Sequence, residues 1–572
     1  MAPFKLGINM AGAISAGAYT AGVLDFLIQA LDEWYAAKLS GQLVPPHDVS
    51  LEVLAGASAG GMCAAIATCQ LQEQFAHIAD ASLQGTNNKF YESWVNKIDI
   101  RELLATDDLG PAASTLPSLL DSSIIAEIAG YAVNVSSPIT RPYVSDSLTL
   151  FLTITNLRGV PYALYEEPDT PSTPDERVTY HADRVRFELV NPGSAPIAPD
   201  AQPLARGGSM TGSVLGSVLN DPGWSALRNT AMATGAFPLF LASRILSRPV
   251  ENYTVNAPWR SICYQTPNQR QILPDWPLTP ADSLTTVNVD GGVTNNSPFD
   301  LACDYLATLN PQPPACKNPE SALDADRAVI TVAPFPGTAA YDAAYNPATQ
   351  TGIAAVAGRL ITALLSQARF YGESLASIAG TPTFNRFFIA PSGPADPATQ
   401  SALQCALLGA FGGFFERSFR AHDFLLGRRN CQGFLQRHFV LPATNSTLAQ
   451  ALNALSPDQR AQIIAAYKVQ APNSAAEMQP DVPWLPVIPL CGSAAASIPL
   501  PSPGQITSQS LAQIVDLIAA RLNAISNVAA RNFGQPLKFL LPKGIWLFLT
   551  LGGGKSEILK YLTNALGDAI QK

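Results

Sequence analysis

The pentapeptide Gly56-Ala57-Ser58-Ala59-Gly60 constrains this chain more than any other stretch. The apolar run Leu51 to Ala55 before it reads as a buried strand. After it comes Gly61-Met62-Cys63-Ala64-Ala65-Ile66-Ala67, a run of good helix formers. Strand, tight G-x-S-x-G turn and helix is the setting in which a serine hydroxyl is lifted clear of the backbone as a nucleophile. Larger side chains beside it would collide with the strand and the helix, which calls for glycine and alanine there. Ser58 also falls at a helix N-terminus, where amide N–H groups and the dipole favour a developing negative charge. Five small residues before a helix are equally compatible with plain packing, so the motif acquires meaning only from its context.

Two other segments supply that context. Phe4-Lys5-Leu6-Gly7-Ile8-Asn9 reads as a first strand, running into the small-residue loop from Met10 to Tyr19, after which Thr20 to Leu27 reads as a helix. A Gly/Ala-rich loop between strand and helix presents backbone N–H groups to an anion. Far downstream, Val287-Asn288-Val289-Asp290-Gly291-Gly292 reads as a short strand ending in a carboxylate on a glycine turn.

Together these segments resemble the patatin-like phospholipase family. Its members carry an oxyanion loop of the form G-G-G-x-[RK]-G, a G-x-S-x-G serine and a D-G-[GA] aspartate. Here Gly12-Ala13-Ile14-Ser15-Ala16-Gly17 occupies the loop, Gly56 to Gly60 the nucleophile elbow, and Asp290-Gly291-Gly292 the third motif. Thr230 to Pro238 (Thr-Ala-Met-Ala-Thr-Gly-Ala-Phe-Pro) is similar to the small-residue, proline-ended stretch that the family has before its aspartate. The likeness covers roughly residues 4–305. It departs from the pattern at Ala13 and Ile14, which replace loop glycines, and at Ala16, which replaces the usual Arg or Lys.

The resemblance implies an α/β fold of three layers, a central, mostly parallel sheet flanked by helices. It implies a catalytic domain over 4–305 and a largely helical C-terminal extension over 306–572 that completes or covers the core. It implies hydrolysis of phospholipid or lysophospholipid esters through an acyl-serine, with Ser58 as nucleophile and Asp290 as a direct base. The loop at Gly12, Ala13, Ile14 and Gly17 would then stabilise the oxyanion. An aspartate in water has a pKa of about 3.9 and is a poor base, but burial raises that value. A second reading, motivated by Ala13, Ile14 and Ala16, is a weakly catalytic scaffold of the same family that binds lipid or a partner.

The competing mechanism is a triad running Ser, acid, His in chain order. Only His422 and His438 follow Asp290, and both lie in the arginine-rich stretch Phe415 to Phe439. A histidine among arginines on a helix reads as a surface or packing residue. The stretch itself reads as a solvated helix face, with contact to lipid phosphates as the functional alternative.

Composition narrows the remaining classes. The net charge of −9, from 35 Lys+Arg against 44 Asp+Glu, argues against nucleic-acid binding, which needs a basic footprint. The sequence has no leader-like start and no apolar run of 18 residues, so it predicts a cytoplasmic protein that meets lipid surfaces peripherally, without a transmembrane helix. Its eight cysteines contain no C-x-x-C pair and read as free thiols. No His/Cys/Asp set has metal-ligand spacing, and no cofactor is expected. Gly552-Gly553-Gly554-Lys555-Ser556 fails as a phosphate loop because the required glycine at 549 is Leu549.

Further elements follow from pattern. Residues 71–145 read as mainly helical, Leu148 to Thr155 and Val185 to Val190 as strands, and Tyr165 to Glu176 as an exposed loop. Four prolines between Asn310 and Pro319 mark the end of the first unit, and Ala328 to Ala333 reads as one more strand. Apolar residues at i, i+3, i+4, i+7 predict amphipathic helices over Ile353–Leu365 and Leu511–Ala529. The proline-rich, uncharged stretch Val482 to Val515 reads as a linker. Leu537 to Leu551 reads as core, or as a membrane-surface segment.

Overall fold

The computed structural model describes residues 2–80, 83–110, 115–164, 176–207, 221–255, 274–276, 282–309, 317–335, 383–395, 401–471, 481–533 and 555–571. Most of the strand and helix expectations can be located in it. The helix expected over Ile353–Leu365, the segment Leu537–Leu551, Gly552 to Gly554 and most of the loop after Tyr165 lie outside the described residues.

The fold is α/β, a mostly parallel sheet with helices on both faces. Nine strands form the sheet: β1 Phe4–Met10, β2 Val49–Gly56, β3 Val144–Leu164, β4 Glu176–Val190, β5 Ala201–Ala205, β6 Arg244–Pro249, β7 Ser283–Asp290, β8 Arg327–Val332 and β9 Arg386–Ile389. Their main order is β5-β4-β3-β2-β1-β8-β9, with β7 joined to β3 and β6 to β7. The pairs β1–β2, β2–β3, β1–β8, β8–β9 and β4–β5 are parallel. Residues on both sides of position 305 therefore build one sheet, because β8 lies directly against β1.

The helices used below are α1 Gly17–Leu39, α2 Ser58–Gln70, α3 Ser123–Ala132, α4 Pro222–Thr234, α5 Phe299–Thr308, α6 Arg417–Arg437, α7 Ser508–Phe533 and α8 Lys555–Leu566. The period-2 alternation of strand side chains separates the two faces. Leu6, Ile8 and Met10 join the large cluster that includes α1, α2, α4 and α6. Val53, Ala55, Phe151 and Val329 point the other way, onto Phe299, Ala302, Tyr305 and Leu306 of α5. β2 lies on one side of β1 and β8 on the other, so the sheet changes direction at β1. Ligands bind at such a point, beyond the carboxyl ends of the strands.

α1 is apolar nearly all round and buried accordingly. The helical stretch Ile14–Leu39 is, among the described residues, the one long and apolar enough to cross a membrane. However, 94% of its most apolar window is buried inside the fold, as befits a core helix. Its partner is α6. Gly22 lies so close to Phe424 O, and Gly427 to Tyr19 O, that a Cβ at either position would collide with backbone.

This packing corrects the reading of the arginine-rich stretch as a solvated face. Arg420 and Arg428 are buried: Arg420 donates to Val95 O and Gly413 O, and Arg428 to Gln29 Oε1, with an ion pair to Asp25. The apolar surface that buries them comes from α1 and from residues 89–100, which a pattern read within α6 alone does not reveal.

Two other expectations give way. The described residues of 71–145 hold only short helical pieces apart from α3, and Asn88 and Asp99 each cap a new start. The stretch expected as a linker enters the core: Trp484–Pro486 pairs with Val440–Pro442, and Trp484, Leu485, Val487 and Ile488 are buried. Proline suits an edge strand, where its missing N–H costs nothing.

Candidate active site

Ser58 is the first residue of α2, directly beyond the end of β2. Its φ is +52°, a left-handed backbone that a serine adopts only when its surroundings impose it. The cause is the close approach of two turns. At Gly60 a Cβ would collide with Met10 O, at the end of β1, and Gly56 sits equally tightly against Gly60. The Ser58 N–H is held by Thr234 Oγ1 at 2.9 Å. Plain packing of five small residues does not call for a strained serine, so this backbone favours the elbow reading.

Asp290 ends β7, an antiparallel strand, yet it reaches the same edge of the sheet. β3 carries it there. Leu152 of β3 pairs with Gly56, and two residues further on Ile154 pairs with Asp290. Asp290 N–H donates to Ala236 O at 2.9 Å, and Thr155 Oγ1 donates to Asp290 O at 2.8 Å. The stretch Thr230 to Pro238 thus touches both residues: Thr234 holds the Ser58 backbone and Ala236 the Asp290 backbone. Sequence reasoning recognised this stretch by likeness and gave it no role.

Across the gap, Ser58 Oγ donates to Asp290 Oδ2 at 2.6 Å. The other carboxylate oxygen, Oδ1, accepts from Gly292 N–H at 2.6 Å, while Gly291 opens the short 3₁₀ turn that makes this possible. Both side chains are buried. Burial pushes the Asp290 pKa up from the ordinary 3.8 to about 7, outweighing the hydrogen bonds from Ser58 and Gly292 that pull it down. A general base is most useful with its pKa near the working pH.

None of the five histidines takes part. His47 bonds Val487 O, His77 bonds Asp25, and His181 bonds Asn156 O. His422 is held by Asp423 at 2.8 Å, and His438 stacks on Phe434.

The loop after β1 differs in detail from the expectation. Gly12 N–H donates to Asn296 O at 3.0 Å, and Gly17 N–H turns back to Ile14 O. Both amides are used within the fold, so Gly12 and Gly17 shape the loop and are not among its free donors. A Cβ at Gly12 would collide with Asn296 Oδ1 and lie 2.9 Å from the Ser58 Cβ. Among the described residues, the N–H groups of Ala13 and Ile14 meet no acceptor, and neither does that of Ala59, the residue after the serine. Ile14 has φ +48°, costly for a β-branched residue, and its side chain is turned into the cavity beside Ser58. The sequence reading did not single out the Ala59 amide. The signal was available, since the amide after an elbow serine is a usual second donor.

Ser58 opens onto an apolar cavity. Met62, Trp94, Ile128, Ala129, Met232 and Phe240 are among its walls, and among the described lining residues only Ser58 and Ser93 carry hydroxyl groups. Among the described residues no group of three or more His, Cys, Asp or Glu side chains is placed to hold a metal ion.

No protein-family model matches the chain. A search of known proteins finds the uncharacterized protein y4iI of Sinorhizobium fredii, 34% identical over 558 residues, spanning 91% of this chain and 76% of the relative. The chain belongs to the y4iI family. Among solved structures, VipD from Legionella pneumophila aligns with this y4iI-family chain at 12% identity. The alignment covers 98% of the chain and 88% of VipD, but at a TM-score of 0.22 the likeness carries no weight for fold or chemistry.

Proposed function

We propose that this y4iI-family protein is a serine acyl-ester hydrolase of the patatin-like type, acting on lipid esters of the phospholipid or lysophospholipid class. One observation carries the reading: the strained Ser58 hydroxyl donates directly to a buried carboxylate at 2.6 Å, at the mouth of an apolar cavity. Ser58 Oγ attacks the ester carbonyl as its proton passes to Asp290 Oδ2. The amides of Ala13, Ile14 and Ala59 face the charge that develops on the carbonyl oxygen, usually the largest single contribution to such catalysis. Collapse expels the alcohol, which takes the proton back from Asp290. Water then attacks the acyl-serine, giving its proton to Asp290, and the fatty acid leaves as Ser58 is restored. The cavity accommodates an acyl chain whose carbonyl rests on Ser58. The lipid is met at a membrane surface or as a free amphiphile, in a cytoplasmic setting.

The test is hydrolysis of a panel of phospholipids, lysophospholipids and short esters, together with labelling by a fluorophosphonate. Activity and labelling that vanish in folded Ser58→Ala support the reading. A wild-type protein that neither labels nor hydrolyses any ester refutes it in favour of a binding scaffold.

A further inference from the structure

The oxyanion loop lacks the basic residue usual at position 16: Ala16 is fully buried and apolar. Its neighbour Ser15 is fully buried too, yet its hydroxyl is fully engaged. Ser15 Oγ donates to Ala410 O at 2.6 Å and accepts from Gly413 N–H at 3.1 Å. Both partners lie almost four hundred residues away, in the segment 404–415.

That segment roofs the cavity. Phe411 and Phe414 line it, and Phe411 meets Phe237 and Phe240 edge-on or tilted at ring separations of 5.9 and 5.3 Å. The roof is anchored to α6 at both ends. Asp423 accepts from the N–H groups of Gln404 and Cys405, each at 2.9 Å, and Arg420 donates to Gly413 O at 2.7 Å. Between these anchors three successive residues, Leu408, Gly409 and Ala410, have positive φ of 54°, 65° and 76°. Leucine and alanine resist that conformation. The strained turn aims the Ala410 carbonyl at Ser15.

We propose that Ser15 is a positioning residue: it fastens the loop that carries the Ala13 and Ile14 amides to the roof of the acyl cavity. The assignment rests on the reading of Ser58 as an acylated nucleophile. Its physical content is that two donors on a strained loop keep their aim only while the loop is clamped. A misplacement of about 1 Å in such a site costs on the order of 10²-fold in rate.

The experiment compares wild type, Ser15→Ala, Ser15→Thr and Gly413→Ala by kcat and KM on short- and medium-chain esters, by fluorophosphonate labelling rate, and by melting temperature. Wild type must first label in a Ser58-dependent way; if it does not, the hydrolase reading itself fails. Given that, Ser15→Ala lowers kcat and labelling rate by about 10²-fold with KM little changed. Ser15→Thr, which keeps the hydroxyl, recovers much of the loss. A Cβ at Gly413 would lie 2.7 Å from Ser15 Oγ and collide with Cys405 Sγ. Gly413→Ala therefore lowers kcat in the same way, and combining it with Ser15→Ala costs no more than the worse single change, as expected of residues acting as one unit. A Ser15→Ala protein that melts lower but keeps wild-type kcat and labelling overturns the proposal and leaves Ser15 a packing residue. Should Ser15→Ala not fold, full activity in folded Gly413→Ala overturns it equally.

Discussion

Asp290→Asn separates two consequences of burying one carboxylate. The change nearly preserves shape. The amide oxygen can accept from Gly292 N–H as Oδ1 does, and the amide N–H can donate to Ser58 Oγ. What disappears is the ability to take a proton, so hydrolysis should fall by at least about 10³-fold, as on losing one member of a nucleophile–base unit. The opposite effect is expected on stability. The folded state raises the Asp290 pKa from 3.8 to about 7, so between those values it holds the proton more tightly than the unfolded chain does. Stability is therefore whole below about pH 4, declines as the pH rises towards 7, and is level above that. At about 1.4 kcal/mol per tenfold in proton affinity, the gap between 3.8 and about 7 is on the order of 4 kcal/mol. Asparagine carries no such penalty. Denaturation of wild type and Asp290→Asn across pH 4–8 should find the dead variant the more stable at pH 8 by up to about that amount, with the difference closing towards pH 4. A variant less stable than wild type at pH 8, or a gap independent of pH, refutes the account of Asp290 as a desolvated base.

Thr234→Val leaves the Ser58 N–H without its acceptor and should cost about 1–3 kcal/mol in chemical denaturation while slowing fluorophosphonate labelling; a variant as stable as wild type removes Thr234 from the elbow. Ala129→Phe places a ring in the cavity wall and should depress kcat/KM on long acyl chains by about 10-fold for each methylene shut out, sparing short esters. An equal loss on both would mean the chain lies elsewhere. His422→Ala and His438→Ala should each stay within a few-fold of wild type in kcat/KM, since neither ring touches Ser58 or Asp290. Loss of activity in either folded variant, matching that of Asp290→Asn, would restore a triad.

The elements around Ser58 were legible because each is local. A strand, a turn of small residues and a helix announce Ser58 within twenty positions, and Asp290 closes an alternating strand before two glycines. The α7 helix was legible for a similar reason, an apolar stripe on one face at i, i+3, i+4, i+7 spacing. What escaped were properties that arise between distant segments. Gly12 and Gly17 looked like donors until Asn296 and Ile14 were seen to take their amides. The arginines of α6 looked solvated because nothing nearby in sequence says that α1 and residues 89–100 cover them. The link from Ser15 to Ala410 spans almost four hundred residues and leaves no periodic trace.

Burial of Asp290 also removes a common diagnostic. A rate profile that falls on the acid side of about pH 7 is ordinarily taken as an imidazole, whose free value is about 6.5. Here a carboxylate is pushed to about 7 by its own desolvation, so the limb alone does not distinguish the two groups. That coincidence follows from what a base must do. Histidine reaches a useful proton affinity in water, whereas aspartate reaches it only when the protein withholds solvent. The site has the means to do so: the buried carboxylate is engaged by the Ser58 hydroxyl and the Gly292 N–H, and the cavity beyond Ser58 is apolar. An acyl chain filling that cavity would exclude still more water and raise the proton affinity of Asp290 further while Ser58 attacks the carbonyl. Substrate occupancy and base strength are thereby linked through one dry space, and the pKa seen in kcat should lie above the one seen in kcat/KM.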